Sequence, residues 1–190
     1  MTDKDKSQSP FDLSGRRALI TGGTQGVGAS IAKALAKAGA DVLLVGLVDD
    51  DMAKQTLREC REAGVEAAFV QTDLSQPPSS YMPELLKAAD ELLPNIDLLI
   101  NNAGTYIDTP FFEMDFERYQ TTMDLNVTAG YFLTQAFARR WFESQVAGRV
   151  LFTGSINGLL SEPDHTAYDT SKGAVAAMVR SLCVTLAPMN

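Results

Sequence analysis

The chain has 190 residues, which fits one domain and leaves no room for a second of ordinary size. Apolar residues make up 45% and charged residues 21%, so neither a disordered nor a fibrous protein is expected. The formal net charge of −8 and the pI near 4.6 argue against nucleic acid or an anionic membrane as partner and favour a small molecule.

The N-terminal region is polar, and we predict a flexible tail over residues 1–12 before a single domain over residues 13–190. The tail contains no apolar signal core. The longest aliphatic run, residues 42–48, is far shorter than the ~20 residues that span a bilayer, so we expect a cytoplasmic protein without membrane association. One histidine and two distant cysteines provide no set of ligands, so no metal site is predicted.

Five short aliphatic runs alternate with helical stretches along the chain. The runs occupy residues 18–20, 42–45, 67–70, 96–100 and 150–152, and their continuous apolar character predicts strands buried on both faces. In the first helical stretch Val27, Ile31 and Leu35 lie four residues apart and predict one buried helix face. This alternation predicts an α/β fold with a doubly wound parallel sheet, helices on both faces, and a ligand at the carboxyl ends of the strands.

The first strand runs directly into the glycine-rich sequence TGGTQGVG, residues 21–28, and then into a helix. Glycine permits positive φ and lets a ligand approach the backbone, while a helix N-terminus presents free N–H groups and partial positive charge. The segment predicts a pyrophosphate cradle, although a tight strand-to-helix turn would explain the same glycines. Its spacing matches neither the GxGxxG fingerprint nor the Walker A pattern, which argues against kinases and ATPases. The cofactor-binding candidates in this turn are Thr21, Gly22, Thr24, Gln25, Gly26, Val27 and Gly28.

Further motifs follow in order along the chain. The sequence NNAG occupies residues 101–104, Asn126 lies in LNV, Ser155 follows the fifth aliphatic run, and Tyr168 precedes Lys172 by four residues. With the glycine-rich turn, this series resembles the short-chain dehydrogenase/reductase (SDR) family. The resemblance implies a Rossmann-type fold and an NAD(P)-dependent oxidoreductase that interconverts an alcohol and a ketone.

The resemblance also exposes a difference at the C-terminus. SDR proteins continue for two more strands, with a substrate-covering segment between them, and this chain lacks both strands. We expect that the sequence is part of a longer polypeptide, and the alternative is a naturally shortened protein. In either case the fifth strand, residues 150–152, should form an apolar edge of the sheet.

Carbonyl reduction assigns a task to each catalytic candidate. A phenol, whose pKa is ordinarily near 10, is a poor proton donor and acceptor at neutral pH unless its phenolate is stabilised. Lys172 lies one helical turn after Tyr168 and can provide that stabilisation, so Tyr168 is the predicted general acid/base. Ser155 can hydrogen-bond the substrate oxygen, unless it only caps a turn. The resemblance adds two roles: Lys172 would bind the nicotinamide ribose, and Asn126 would hold a water of a proton relay.

The resemblance extends to the adenosine half of the cofactor. It implies that Asn102, Ala103 and Gly104 run beside the adenosine. It also places Asp73 and Leu74 at the adenine, although an Asx turn would explain Asp73 nearly as well.

The choice between NAD and NADP depends on the end of the second strand. Gly46 stands where an acidic residue would select NAD, and Leu47 stands where a basic residue would select NADP. Three aspartates, residues 49–51, would repel a 2′-phosphate, so NAD is slightly preferred.

The sequence leaves alternatives open for the substrate, for the oligomeric state and for whether the protein is an enzyme. Residues 105–112 and 156–166 are predicted to flank the pocket, where His165 could touch substrate or simply be solvated. A sugar acid, an acyl carrier thioester, a steroid and a small ketone all fit this pattern. The family pairs the helices near residues 126–141 and 170–186 between subunits, which implies a homodimer or homotetramer. The alternative to an enzyme is a truncated, non-catalytic dinucleotide-binding or sensor module, which needs the glycine-rich turn but no closed substrate pocket.

Overall fold

A computed structural model describes residues 10–189 of the chain, so residues 1–9 of the predicted tail lie outside the described residues. Within residues 10–189, five strands form one parallel sheet in the order β3-β2-β1-β4-β5. The strands are β1 (Arg17–Thr21), β2 (Asp41–Gly46), β3 (Ala67–Gln71), β4 (Leu98–Asn101) and β5 (Arg149–Phe152). The chain winds outward from β1 to β3 and then returns to the other side of β1, so the predicted doubly wound, Rossmann-type sheet is confirmed. Between β1 and β4 lies the point where such folds bind ligands.

Six α-helices of the described part of the chain cover the two faces of the sheet. They are α1 (Gly26–Lys37), α2 (Asp51–Glu62), α3 (Pro78–Leu92), α4 (Phe116–Met123), α5 (Ala129–Ser144) and α6 (Thr166–Leu186). Alternate strand residues point to opposite faces, and each face has its own core. Ile20 packs with Ala32 and Ala36 of α1 and with Leu57 of α2. Leu19 packs in the other core, with the apolar residues of α3 and α5.

The buried face of α1 differs from the predicted one at Val27. Val27 is 61% exposed, whereas Ala29, Ala32 and Ala36 are buried. Small side chains let the helix lie close to the sheet, so a stripe of alanines makes the central contact, and the predicted Ile31 and Leu35 are partly buried against the same core. Val27 is instead left at the opening above the sheet.

Strand burial follows the prediction in the centre of the sheet and departs from it at the edges. In β1, β2 and β4 the apolar side chains are buried, but most of β3 is only half-buried. For β5 the prediction of burial on both faces is wrong: Leu151 is 53% exposed, whereas its register partner Ile100 in β4 is 4% exposed. The predicted apolar edge at β5 is confirmed. Among residues 10–189, no helix is both long enough and apolar enough to cross a bilayer.

Candidate active site

A cleft of about 660 Å³ lies at the carboxyl ends of the strands. This volume is within the usual range of small-molecule sites. The cleft brings together residues from the glycine-rich turn, from the segments after β2, β3 and β4, and from α6. Of the predicted site residues, those that line it are Gly22, Thr24, Gln25, Val27, Gly28, Asp73, Leu74, Asn102, Ala103, Gly104, Tyr168 and Lys172. Four others, Thr21, Gly26, Asn126 and Ser155, lie outside this lining.

Backbone packing dictates the glycines of the turn. A Cβ on Gly28 would lie 2.0 Å from the carbonyl oxygen of Gly22, an impossible contact, and a Cβ on Gly22 would lie 3.0 Å from Cα of Ala103. Gly22 and Gly26 also have φ values of +61° and +55°, in the left-handed region that glycine adopts readily. The turn can therefore pack closely against α1 and the segment after β4 while its backbone stays open to the cleft.

The N-terminus of α1 is prepared for an anion. Its N-cap residue, Gln25, makes no side-chain capping hydrogen bond, and the first turn of α1 carries no acidic residue. The first N–H groups of a helix have no partner within it, and they carry partial positive charge. Because Gln25, Val27 and Gly28 line the cleft, these groups fit the pyrophosphate of a dinucleotide.

Thr21 is buried beneath the cleft and joins its two sides. Its Oγ1 accepts hydrogen bonds from the backbone N–H groups of Asn102 and Ala103, each at 3.0 Å. The Asn102 amide in turn donates to the carbonyl oxygens of Thr21, at 3.1 Å, and Gly22, at 3.2 Å. Thr21 and Asn102 thereby hold the glycine-rich turn against the segment after β4.

The end of β2 explains why Gly46 is not acidic. A Cβ on Gly46 would lie 2.7 Å from Cγ2 of Thr24 and 3.1 Å from the Phe69 ring, so a larger side chain has no room. The nearby Asp50 carboxylate accepts the Ala53 backbone N–H at 2.9 Å and caps α2. Asp50 also lines the cleft, so its negative charge lies on the cofactor side.

Asp73 forms the Asx turn that the sequence left as an alternative. Its Oδ1 accepts from the backbone N–H of Ser75 at 3.0 Å and from the Ser75 hydroxyl at 2.6 Å. The hydroxyl contact is the main reason why the pKa of Asp73 lies below its usual value. Because Asp73 and Leu74 also line the cleft, the turn and a contact with adenine are compatible.

Lys172 brings a buried ammonium group to the cleft. The residue is 6% exposed, and its Nζ donates to the carbonyl oxygen of Thr153 at 3.0 Å. The same nitrogen lies 5.7 Å from the centroid of the Tyr168 ring. Burial lowers the pKa of Lys172, since an ammonium is less well solvated there than in water. Lys172 and Tyr168 therefore lie together, as the four-residue spacing on one helix predicts.

Asn126 connects three segments of the chain. It lies in a π-helical turn, Asp124–Thr128, between α4 and α5. Such turns are frequent at functional sites. Its Oδ1 accepts from the Thr105 backbone N–H at 2.7 Å, and its Nδ2 donates to the Thr105 carbonyl and to the Ser171 hydroxyl, both at 2.9 Å. The amide thus fixes the segment after β4 against α6.

Ser155 caps a short 3-10 turn, Ile156–Gly158, after β5. Its hydroxyl oxygen accepts from the Asn157 backbone N–H at 3.2 Å and also donates to the Asn157 side-chain oxygen at 3.3 Å. The capping role that the sequence left open is therefore present. The second contact is long, so the hydroxyl can be redirected to a substrate oxygen at little cost.

Sequence reasoning missed Tyr106 as a residue of the site. Its ring lies edge-on to Tyr168, with centroids 5.2 Å apart, and its hydroxyl is hydrogen-bonded to Nε2 of His165. Tyr106 lines the cleft beside Tyr168. The signal was an aromatic residue two positions after the NNAG motif, in a segment already predicted to flank the pocket.

Comparison with known proteins identifies a family that matches this fold and site. The family model described as short chain dehydrogenase matches residues 16–190. An L-rhamnose 1-dehydrogenase (NADP(+)) of Thermoplasma acidophilum is 32% identical over 176 residues, 93% of this chain and 68% of that protein. A short-chain type dehydrogenase/reductase from Mycobacterium marinum has a TM-score of 0.87 and 32% identity, covering 94% of this chain and 70% of that one.

A second solved structure, a 3-oxoacyl (acyl-carrier-protein) reductase from Agrobacterium tumefaciens with NADP bound, has a TM-score of 0.85 and 29% identity. It covers 95% of this chain and 68% of the reductase. The chain spans 66% to 68% of the first three curated relatives. The family match extends over almost the whole chain and includes the glycine-rich turn, Tyr168 and Lys172, so the chain belongs to the short-chain dehydrogenase family.

Proposed function

We propose that the protein is an NAD(P)-dependent oxidoreductase that interconverts an alcohol and a ketone, with Tyr168 as general acid/base. One observation carries the proposal: Tyr168 and Lys172 line the same cleft as the glycine-rich turn and the uncapped N-terminus of α1. A nicotinamide dinucleotide bound in that cleft would supply or accept the hydride. The backbone at Gly22 and Gly28, which both line the cleft, would hold its pyrophosphate.

The proton is the task of the chain's own residues. In reduction, the carbonyl carbon gains a hydride, the carbonyl oxygen takes the phenolic proton of Tyr168, and a tyrosinate remains. The Lys172 ammonium stabilises that negative charge, and oxidation of the alcohol reverses each step. Ser155 would donate to the same oxygen as charge develops on it.

Two supporting roles complete the site. One N–H of Lys172 donates to the Thr153 carbonyl, which leaves two donors for the cofactor's ribose and for a water. The side chain of Asn126 would act as a positioning group, because its amide is committed to Thr105 and Ser171. Any water relay at Asn126 would then use its backbone carbonyl rather than its side chain.

For the cofactor we propose NAD over NADP. Support comes from charge: the Asp50 carboxylate lines the cleft, and Asp49 and Asp51 are its neighbours in sequence. A 2′-phosphate near these groups would be repelled unless a cation compensated, and Leu47 and Val48, the other residues at this point, are apolar. Turnover measured with each cofactor tests this choice, and a much lower KM for NADPH than for NADH would reverse it.

The test of the function combines binding with turnover. NADH and NADPH would be titrated by fluorescence, followed by a panel of alcohols and ketones. We expect Tyr168→Phe to retain cofactor binding and to lose turnover by a factor of roughly 10² or more. Cofactor binding by the unaltered protein without turnover of any panel member would instead favour the non-catalytic sensor.

We also propose a homodimer or homotetramer paired through α5 and α6. Large apolar side chains lie on the solvent side of both helices: Tyr131 and Phe132 are 44% and 40% exposed, and Val184 is 79% exposed. Burying such side chains between subunits would be favourable. Light scattering that finds a monomer at micromolar concentration would contradict this assembly.

A further inference from the structure

A tyrosine and a histidine from distant parts of the chain meet beside Tyr168. Tyr106 follows β4, and His165 precedes α6 by one residue. The Tyr106 ring lies edge-on to both neighbours, with centroids 4.8 Å from His165 and 5.2 Å from Tyr168. Tyr106 therefore forms a wall of the cleft next to the group that would move the proton.

The hydrogen bonds of His165 determine what this wall offers to a ligand. Its Nδ1 lies 3.0 Å from the carboxylate of Glu162, and an ionised carboxylate can only accept. With a neutral imidazole, Nδ1–H donates to Glu162, and Nε2 must then accept the O–H of Tyr106. The phenolic oxygen of Tyr106 is left with free lone pairs and no proton to donate.

One other contact reaches the same imidazole nitrogen but does not change this direction. The Asn157 amide nitrogen lies 3.4 Å from Nδ1 of His165, whereas its hydrogen bond to the Asp169 carboxylate is 2.9 Å long. One of the two amide protons is therefore assigned to Asp169, and at Nδ1 the Glu162 carboxylate, at 3.0 Å, is the closer partner. Asp169 also accepts the Glu162 backbone N–H at 3.3 Å, which ties the loop to the start of α6.

The surroundings of this wall are negative. Burial, followed by the charges of four carboxylates, raises the pKa of Tyr106 above its usual value; the four are Asp108, Glu162, Asp169 and Asp164. Residues 105–117 and 153–171, which flank the cleft here, contain no lysine or arginine. Lys172 directly follows the second range; its ammonium donates to the Thr153 carbonyl and lies 5.7 Å from the centroid of the Tyr168 ring.

We propose that Tyr106, held by His165 and Glu162, is a specificity-determining residue, and that the site selects an uncharged, hydroxyl-bearing substrate such as a neutral sugar over a sugar acid. A substrate hydroxyl can donate to the free lone pairs of Tyr106. A carboxylate or phosphate has no proton to donate and would meet like charges, which repel it. This inference rests on the proposed oxidoreductase function and names its substrate class.

Matched sugars provide the test, because each pair differs only in a neutral or an ionised group at C6. D-glucose is compared with D-glucuronate, and D-galactose with D-galacturonate, at low salt and with each oxidised cofactor. We expect kcat/KM to be roughly tenfold or more higher for the neutral member of each pair, and the difference to shrink at 0.5 M salt. We expect Tyr106→Phe, which keeps the ring, to lower kcat/KM for the neutral sugars roughly tenfold.

A charge variant distinguishes the effect of the carboxylates near Tyr106 from the effect of the protein's net charge. Asp108→Asn combined with Asp164→Asn removes two negative charges near Tyr106, and should raise kcat/KM for the uronates relative to the neutral sugars by roughly tenfold. The matched control, Glu91→Gln with Glu143→Gln, removes two exposed charges at the far ends of α3 and α5 and should leave that ratio unchanged.

Binding distinguishes failure of this inference from failure of the function. Saturation-transfer NMR with the cofactor present ranks all four sugars, whether or not any is turned over. Stronger binding of the neutral sugars without turnover would support the proposed selectivity at Tyr106 and contradict the proposed function. Turnover or binding of a uronate equal to that of its neutral partner, or no binding of either neutral sugar, would overturn the inference.

Discussion

The two sides of the cleft are shaped by different parts of the chain. On the nucleotide side, backbone atoms set the form: a Cβ on Gly28 would come within 2.0 Å of the Gly22 carbonyl oxygen. On the substrate side, side chains determine the shape of the cleft, through the hydrogen bonds of Asn126 and of the Tyr106–His165 pair. Gly154, a glycine of this side, has open space around its Cβ position. The nucleotide side is therefore fixed in one form, and the substrate side can be altered residue by residue.

The largest expected effect comes from adding a methyl group to each side. Gly28→Ala forces backbone to move in the glycine-rich turn, and we expect a loss of more than about 3 kcal/mol in the free energy of unfolding together with the loss of cofactor binding. Gly154→Ala, the matched change, should cost less than about 1 kcal/mol, since no atom outside the residue and its chain neighbours lies within 4 Å of the added Cβ. Urea unfolding and NADH titration of both variants provide the measurement. Similar losses in the two variants would remove the distinction between the sides.

A second comparison uses two neighbouring positions on one face of the sheet. Ile100 and Leu151 are register partners, but Ile100 is 4% exposed and Leu151 53% exposed. We expect Ile100→Ala to lower the free energy of unfolding by about 3 kcal/mol and Leu151→Ala by less than about 1 kcal/mol. Equal costs in urea unfolding would show that the outer strand is covered in solution, for instance by a second copy of the chain.

Lys172 links the chemistry of the substrate side to stability. Burial lowers its pKa in the folded protein, so between that lowered pKa and the unfolded value of 10.5 the unfolded state binds more protons. The free energy of unfolding should therefore rise with pH in this window as far as Lys172 is concerned, and Lys172→Met should remove that rise. The same variant should lose roughly a hundredfold in turnover.

Urea unfolding at several pH values checks the first of these effects. Lys87→Met, on α3, is the control because that side chain is exposed and does not line the cleft. If the free energy of unfolding of the Lys172→Met and control variants depended on pH in the same way, burial of the Lys172 ammonium would not destabilise the folded protein.

The difference between the two sides also explains what the sequence could predict. The strands and the glycine-rich turn lie in continuous segments, so local patterns located them, and the four-residue spacing placed Lys172 beside Tyr168. The contact between Tyr106 and His165 spans 59 residues, and Asn126 reaches across 45 residues to Ser171. Such contacts leave no periodic pattern. The exposed face at Leu151 and the alanine stripe of α1 depend on what packs above them, which residue type alone does not reveal.

The smallest effect at neutral pH is expected for Tyr81 of α3. It packs in one core with Leu74 of the cleft lining, while burial and the charge of Asp124 in the π turn raise its pKa from 10.0 to about 12. Its hydroxyl is buried and has no hydrogen-bond partner among the described residues. At pH 7, Tyr81→Phe should therefore leave the free energy of unfolding unchanged or raise it by up to about 1 kcal/mol.

The free energies of unfolding of the Tyr81→Phe variant and the parent protein should differ increasingly as pH rises. Above pH 10 the unfolded state releases a phenolic proton that the folded state retains up to about pH 12, so the parent protein loses stability across this window. The loss is at most ~2.7 kcal/mol, and Tyr81→Phe should abolish it. Urea unfolding from pH 7 to pH 12 measures the difference, with Tyr131→Phe on the exposed side of α5 as control. If both variants followed the same pH dependence, burial and the charge of Asp124 would not raise the pKa of Tyr81 in the folded protein.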